Sequence, residues 1–323
     1  MSSPDPAGDL LIRVGRLCRE QSEDLRAALA DVLATTAPAD APASRDLRAL
    51  LASVRTDDRQ QLWGRVGQAW LHLAVHVADH VQALAVLLAG ARSWVPVYAH
   101  ASLARSAVES AATAIGLLAD GQQFEARLGR GVALLLRDAR EAVKAANDIP
   151  GNAYMASPKV VVEAERDRLL ALVERARIEV VRNSPGGRLK GVRVVAGGRE
   201  ELLSVQSADL VERTFGDLPA AYRLLSGVVH GLPWGLADNA SISGREARWE
   251  PEPVAAANSA LVAVTAAERV VGAFARYRGF GEHALVARMH VRTRSCDEAM
   301  VKYGRAHGAL AGARPTVARF LSP

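Results

Sequence analysis

The chain has 323 residues, half of them hydrophobic and 5% aromatic, with a formal charge of +5. That is ample material for a core, and its wealth of alanine, leucine and arginine favours helix. The two cysteines, Cys18 and Cys296, stand at opposite ends, which excludes a Cys-x-x-Cys zinc site and a disulfide framework.

The first residues, Met-Ser-Ser-Pro-Asp-Pro-Ala-Gly-Asp, lack the basic start and apolar stretch of a secretory signal, so a cytoplasmic protein is expected. Leu10, Leu11, Val14, Leu17, Leu25 and Leu29 recur at helical spacing and predict a helix over 9–35. Thr35–Ser44 reads as a loop, with Ser44 capping a helix that begins at Arg45. A long helix is predicted over 57–89, opened by Asp57 and Asp58 and stopped at Gly90. Its apolar run from Trp70 to Leu88 is interrupted by Asp79 and His80, so no stretch reads as membrane-spanning and no membrane partner is expected.

Further helices are predicted over Ser93–Asp120, with Pro96 in the first turn, over 122–147 and over 158–182. Lys190–Ala196 and Glu201–Gln206, divided by Gly197-Gly198, read as a β-hairpin. Helix resumes over Ser207–Phe215 and Leu218–His230 and stops at Gly231 and Pro233. Residues 233–251 read as a loop with a weak strand near Ala247–Glu250, before helices over Pro253–Tyr277 and 282–303. The fold class is therefore all-α, a helical bundle with a small β-hairpin insertion near 190–206. One helical domain over 1–323 is expected, with 1–56 as an N-terminal subdomain and 282–323 as a basic extension. From Arg276 onward nine Arg or Lys face three Asp or Glu, a charge of +6 that leaves the remainder at −1. Such an end attracts polyanions, or is simply a solvated tail.

The densest chemistry lies in Tyr222-Arg223-Leu224-Leu225-Ser226-Gly227-Val228-Val229-His230-Gly231. Seven steps of about 100° return His230 to the bearing of Arg223, and Ser226 lies one turn before the histidine. A cation, a hydroxyl and an imidazole on one stripe suit a phosphate or carboxylate. The same residues also suit a structural role, with Arg223 paired to a carboxylate and His230 capping a turn. At the C-terminal end of a helix the dipole favours a protonated ring, which suits an acid or a phosphate ligand better than a base.

Tyr-Arg-x-Leu-Ser-x-x-x-His-Gly at 222–231 resembles a signature of actinobacterial helical proteins related to the HEPN superfamily. Ala104-Arg105-Ser106-Ala107-Val108-Glu109, followed by Leu117-Leu118, resembles the same proteins. The resemblance implies a helical bundle, a homodimer and RNA as the anionic ligand. It also implies a metal-independent ribonuclease built on Arg-x4–6-His, with Arg223, Ser226 and His230 as the catalytic set and no cofactor. Leu224 departs from the pattern, since nuclease members usually carry a polar residue there.

Arg105 and Glu109 form an i, i+4 pair that is either a helix salt bridge or a charged pair facing an inner pocket with His100 and Tyr98. His72, His76 and His80, with Asp79 alongside, line one side of the 57–89 helix. They read as hydrogen-bonding within the bundle or lining a polar cavity rather than as a metal site. Trp234, near Asp238 and Asn239, is suited to stack on a base or to fill the core. Tyr222, Trp234, Arg105, Glu109 and His76 are thus the expected substrate-binding residues. The chain carries neither a phosphate-binding glycine loop nor a serine nucleophile elbow. Two other readings remain open: a small-molecule enzyme of secondary metabolism with a polar pocket among His72, His76, Arg105, Glu109 and Arg223, and a noncatalytic dimeric interaction module.

Overall fold

The computed structural model describes residues 5–91, 95–119, 121, 123–149, 151, 157–195, 198–204, 206–218, 221–236, 240–243, 246–249, 251–280 and 284–307. In chain order the elements are α1 (Pro6–Ala34), α2 (Pro42–Leu51), α3 (Thr56–Ala89), α4 (Ala99–Leu117), α5 (Phe124–Asn147) and α6 (Lys159–Arg175). Then follow β1 (Glu179–Arg182), β2 (Leu189–Arg193), β3 (Glu201–Leu202), α7 (Ser207–Phe215), α8 (Ala221–Val229) and α9 (Pro233–Leu236). The chain closes with β4 (Ala240–Ser243), β5 (Glu246–Trp249), α10 (Pro253–Arg278) and α11 (Ala284–Ala306). This is an all-α bundle with a minor antiparallel sheet.

Helix α10 is the axis of the bundle. From Ala256 to Tyr277 it is buried on nearly every side, mostly through alanine and valine, as expected of a helix apolar all round. Small side chains let α1, α3, α4 and α11 pack around it. Pro253 opens it, the Glu252 carboxylate accepts the amides of Val254 and Ala255, and Gly279 closes it in the left-handed region. Helix α1 is central rather than a separate subdomain. Its buried Gln21 donates to the Val264 carbonyl at 3.1 Å, and its Ser22 hydroxyl donates to the Ala78 carbonyl at 2.8 Å. The basic stretch is likewise no free extension as far as residue 307. Arg288 and Arg292 of α11 pair with Asp24, and Arg292 also with Glu20, all on α1. Residues 308–323 lie outside the described set.

A second layer packs α5, α6 and the sheet about Phe124, Leu128, Val132, Leu136, Leu172 and Val192. Gly131 permits the α3–α5 approach, because a Cβ there would stand 2.4 Å from the methyls of Val66. The buried Asp46 carboxylate ties α2 to α5 through two bonds from Arg127, at 2.6 and 2.7 Å, and to α10 through the Tyr277 hydroxyl at 3.1 Å.

The helix expected over 158–182 stops at Arg175. Arg177 adopts φ 54°, the chain reverses, and residues 179–182 pair with β2 as Val180↔Val192. The expected hairpin is thus a three-stranded sheet in the order β1-β2-β3. Helix α2 begins at Pro42, with Ser44 inside it and donating to the Ala37 carbonyl at 3.3 Å. Helix α4 begins at Ala99, beyond Pro96. The expected loop after Pro233 contains α9 and a second hairpin, β4–β5. Two helices, α3 and α10, are long and apolar enough by length and composition to cross a membrane, where the sequence reading allowed none. The apolar window of α10 is 72% buried inside the bundle, and that of α3 39%.

Candidate functional site

Helix α8 spans nine residues, too few to be stable alone in water. Buried Leu225 belongs to the main core, and α8 packs on α4. Its end is a Schellman motif: Leu232 N–H bonds the Gly227 carbonyl at 2.9 Å and Gly231 N–H that of Val228 at 3.0 Å, with Gly231 at φ 65°. His230 is the C-cap, its own amide on the Ser226 carbonyl at 2.9 Å. The His-Gly pair in the sequence is therefore a positioning device, since only glycine adopts that φ without strain.

Tyr222, Ser226 and His230 recur every fourth residue and form one stripe. Arg105 reaches this stripe from α4. Its Nη1 lies 3.0 Å from His230 Nε2, its Nη2 donates to the Tyr222 hydroxyl at 3.4 Å, and its Nε donates to Glu109 at 3.0 Å. The guanidinium also lies 5.4 Å from the Tyr222 ring centre. Burial works against the Arg105 charge, but Glu109 and Tyr222 outweigh it and raise the guanidinium pKa. A guanidinium has only donors, so a hydrogen bond at this contact takes His230 Nε2 as the acceptor and requires the tautomer with hydrogen on Nδ1, in place of the protonated ring expected from the helix end. The group is reachable from solvent: the Arg105 and Glu109 side chains are 17% and 31% exposed.

Arg223 is exposed, and among the described residues it has no hydrogen-bond or ion-pair partner. The guanidinium that meets His230 is thus Arg105, not Arg223, which flanks the group as a free cation. Ser226 is half-buried between Tyr222 and His230. The structure therefore gathers Arg105, Glu109, Tyr222, Ser226 and His230 and leaves Arg223 at the rim. The Trp234 side chain, Asp238 and Asn239 lie outside the described residues.

The α3 histidines belong elsewhere. His72 and His76 are exposed. His76 Nδ1 is 2.9 Å from the Ser110 hydroxyl of α4, and its ring centre lies 4.0 Å from that of His80 with the planes tilted by 40°. Burial first, and His80 second, lower the His76 pKa. Among the described residues no three His, Cys, Asp or Glu are grouped as metal ligands.

His100 and Tyr98 do not face the Arg105–Glu109 pair either. The Tyr98 hydroxyl donates to the Leu236 carbonyl at 3.2 Å. His100 is buried, 2.8 Å from the Ser259 hydroxyl, and burial lowers its pKa to about 4. The unfolded chain has a histidine near 6.5. Stability from this neutral ring is intact above about pH 6.5 and is lost as pH falls toward 4. Between pH 7 and 4.5 the wild type should lose about 2–3 kcal/mol more unfolding free energy in urea than His100→Gln, which cannot titrate. Equal pH slopes for the two proteins would refute this assignment.

No family model, curated protein or solved structure matches this chain.

Proposed function

We propose that the α4–α8 surface binds RNA and cleaves it without a metal. The contact between Arg105 Nη1 and His230 Nε2 supports this most strongly. It joins a phosphate-binding fork to an unprotonated imidazole at a solvent-reachable stripe, beside the free cation Arg223. The resemblance to HEPN ribonucleases agrees with this reading.

A bound phosphate competes for Arg105 and releases His230 Nε2. That nitrogen then takes the proton of the ribose 2′-hydroxyl, whose oxygen attacks the adjacent phosphorus. The bond from phosphorus to the 5′-oxygen breaks, and the products are a 2′,3′-cyclic phosphate and a 5′-hydroxyl. Arg105 and Arg223 neutralise the charge that gathers on the phosphorane oxygens. The Tyr222 hydroxyl accepts from Arg105 and so keeps its own proton for the leaving oxygen. Incubation with mixed RNA in EDTA should yield fragments with cyclic phosphate ends; intact RNA at high protein concentration would reject the nuclease.

We propose further that the chain works as a dimer through α8. Leu224, Val229 and Leu232 are 48%, 39% and 41% exposed beside the site, and an apolar rim of this kind marks an interface. Leu224 thus has a use in the position where a polar residue is usual. Sedimentation should give twice the chain mass, and Leu224→Asp should halve it. A wild type that stays monomeric at high micromolar concentration would contradict the dimer.

A further inference from the structure

A second basic feature lies further along α4 and shares no residue with the RNA surface. Thr113 and Gly116 of α4, Arg130 and Arg137 of α5, the strand flank from Arg199 to Ser204, and the start of α7 enclose a cavity of about 430 Å³. The volume is in the range that takes a small ligand.

Four arginines line it against three acids, Glu200, Glu201 and Asp209. Arg199 stands 3.5 Å from Glu201, and Glu200 is held by Lys190 at 3.1 Å. Arg130 is attracted by the nearby Glu201 carboxylate, but among the described residues it hydrogen-bonds to the Ala126 carbonyl alone, at 3.3 Å from its Nε, and its Nη2 is buried with no hydrogen-bond partner. Arg213 bonds the Asp209 carbonyl of its own helix at 3.1 Å, and Arg137 has no partner among the described residues. A buried charged donor left unsatisfied is costly, so a ligand oxygen that completes Arg130 is favoured. Helix α7 starts on this wall at Ser207, and its N-cap Gln206 makes no side-chain capping bond, which leaves first-turn amides to the positive field. Asp209, in the first turn of α7, is the acid on this wall without a cationic partner among the described residues. A carboxylate there suits a hydroxyl of the ligand, and Leu134, Leu203 and Leu210 offer it an apolar side.

We infer that this cavity binds a small phosphorylated molecule that also carries hydroxyls, of the nucleotide or sugar-phosphate class, with its phosphates against Arg130, Arg137 and Arg213. The inference stands apart from the RNA reading, because the two sites use different residues.

Calorimetric titration of the full chain with ADP and with pyrophosphate tests it. Saturable binding is expected, weakened about ten- to hundredfold by Arg137→Ala or Arg213→Ala and unchanged by His230→Ala. Arg130→Lys, which keeps the charge but not the fork, should also weaken it, and circular dichroism checks that each variant folds. Absence of heat at millimolar ADP and pyrophosphate would overturn the inference, as would affinity that these arginine substitutions leave unmoved. So would loss of RNA affinity in Arg137→Ala without any binding of ADP, which would assign the cavity to the RNA path.

Discussion

His230→Ala is expected to slow RNA cleavage about 10²–10⁴-fold, the ordinary worth of a positioned acid–base group, with little change in stability. The Schellman bonds that end α8 are all main-chain, so they survive loss of the ring. Arg105 also survives, held by Glu109 and Tyr222, and affinity for RNA should fall far less than the rate. Arg105→Ala should reduce both affinity and rate, because this one side chain touches the imidazole, the phenol and the carboxylate. Arg223→Ala should weaken RNA binding and flatten its salt dependence while leaving kcat nearly unchanged. Steady-state kinetics in EDTA on the three variants separates these roles. A His230→Ala protein as active as wild type would remove the histidine from the mechanism.

Asp46→Ala is expected to cost about 3–5 kcal/mol of unfolding free energy, the usual loss when one partner of a buried ion pair is removed. Arg127 and Asp46 have side chains 4% and 2% exposed, and their two-bond geometry is near ideal. Burial first, and Asp46 second, raise the Tyr277 pKa, so this phenol stays a donor and would also be stranded. Replacing both ions, as Asp46→Leu with Arg127→Met, should recover much of the loss, because hydrocarbon replaces a pair whose desolvation was costly. Urea unfolding at neutral pH measures both. A loss below about 1 kcal/mol for Asp46→Ala would place the pair in the class of exposed bridges.

Local patterning carried much of the fold. The bounds of α3, α5, α7 and α10 follow from apolar periodicity, glycine stops and prolines at first turns, all of which act within a few residues. Strand β1 is not legible in the sequence, because Glu179-Val180-Val181-Arg182 continues a helical pattern. What ends the helix is Arg177 at φ 54°, a conformation its residue type does not announce. The site shows the same division. Helical geometry puts Arg223, Ser226 and His230 on one stripe of α8, and in the structure it is Tyr222 and His230 of this helix that meet the facing guanidinium while Arg223 has no partner among the described residues. It could not say which element lies opposite, and Arg105 stands 125 positions away from His230. Local spacing points to Arg223 as the partner, because it is the arginine within two turns of His230 on the same helix. The Asp46–Arg127 pair is tertiary in the same way; seven-residue spacing puts Arg130 and Arg137 on one face of α5, but what closes the cavity opposite them carries no short-range signal.

The most direct test is to follow the imidazole nitrogens by nuclear magnetic resonance while a non-cleavable 2′-O-methyl RNA is added. The Nε2 signal of His230 is expected to move and saturate with the RNA, while those of His76 and His80 hold still. Binding of that RNA with the His230 signal unmoved would show that the Arg105–His230 surface is not where the strand lies.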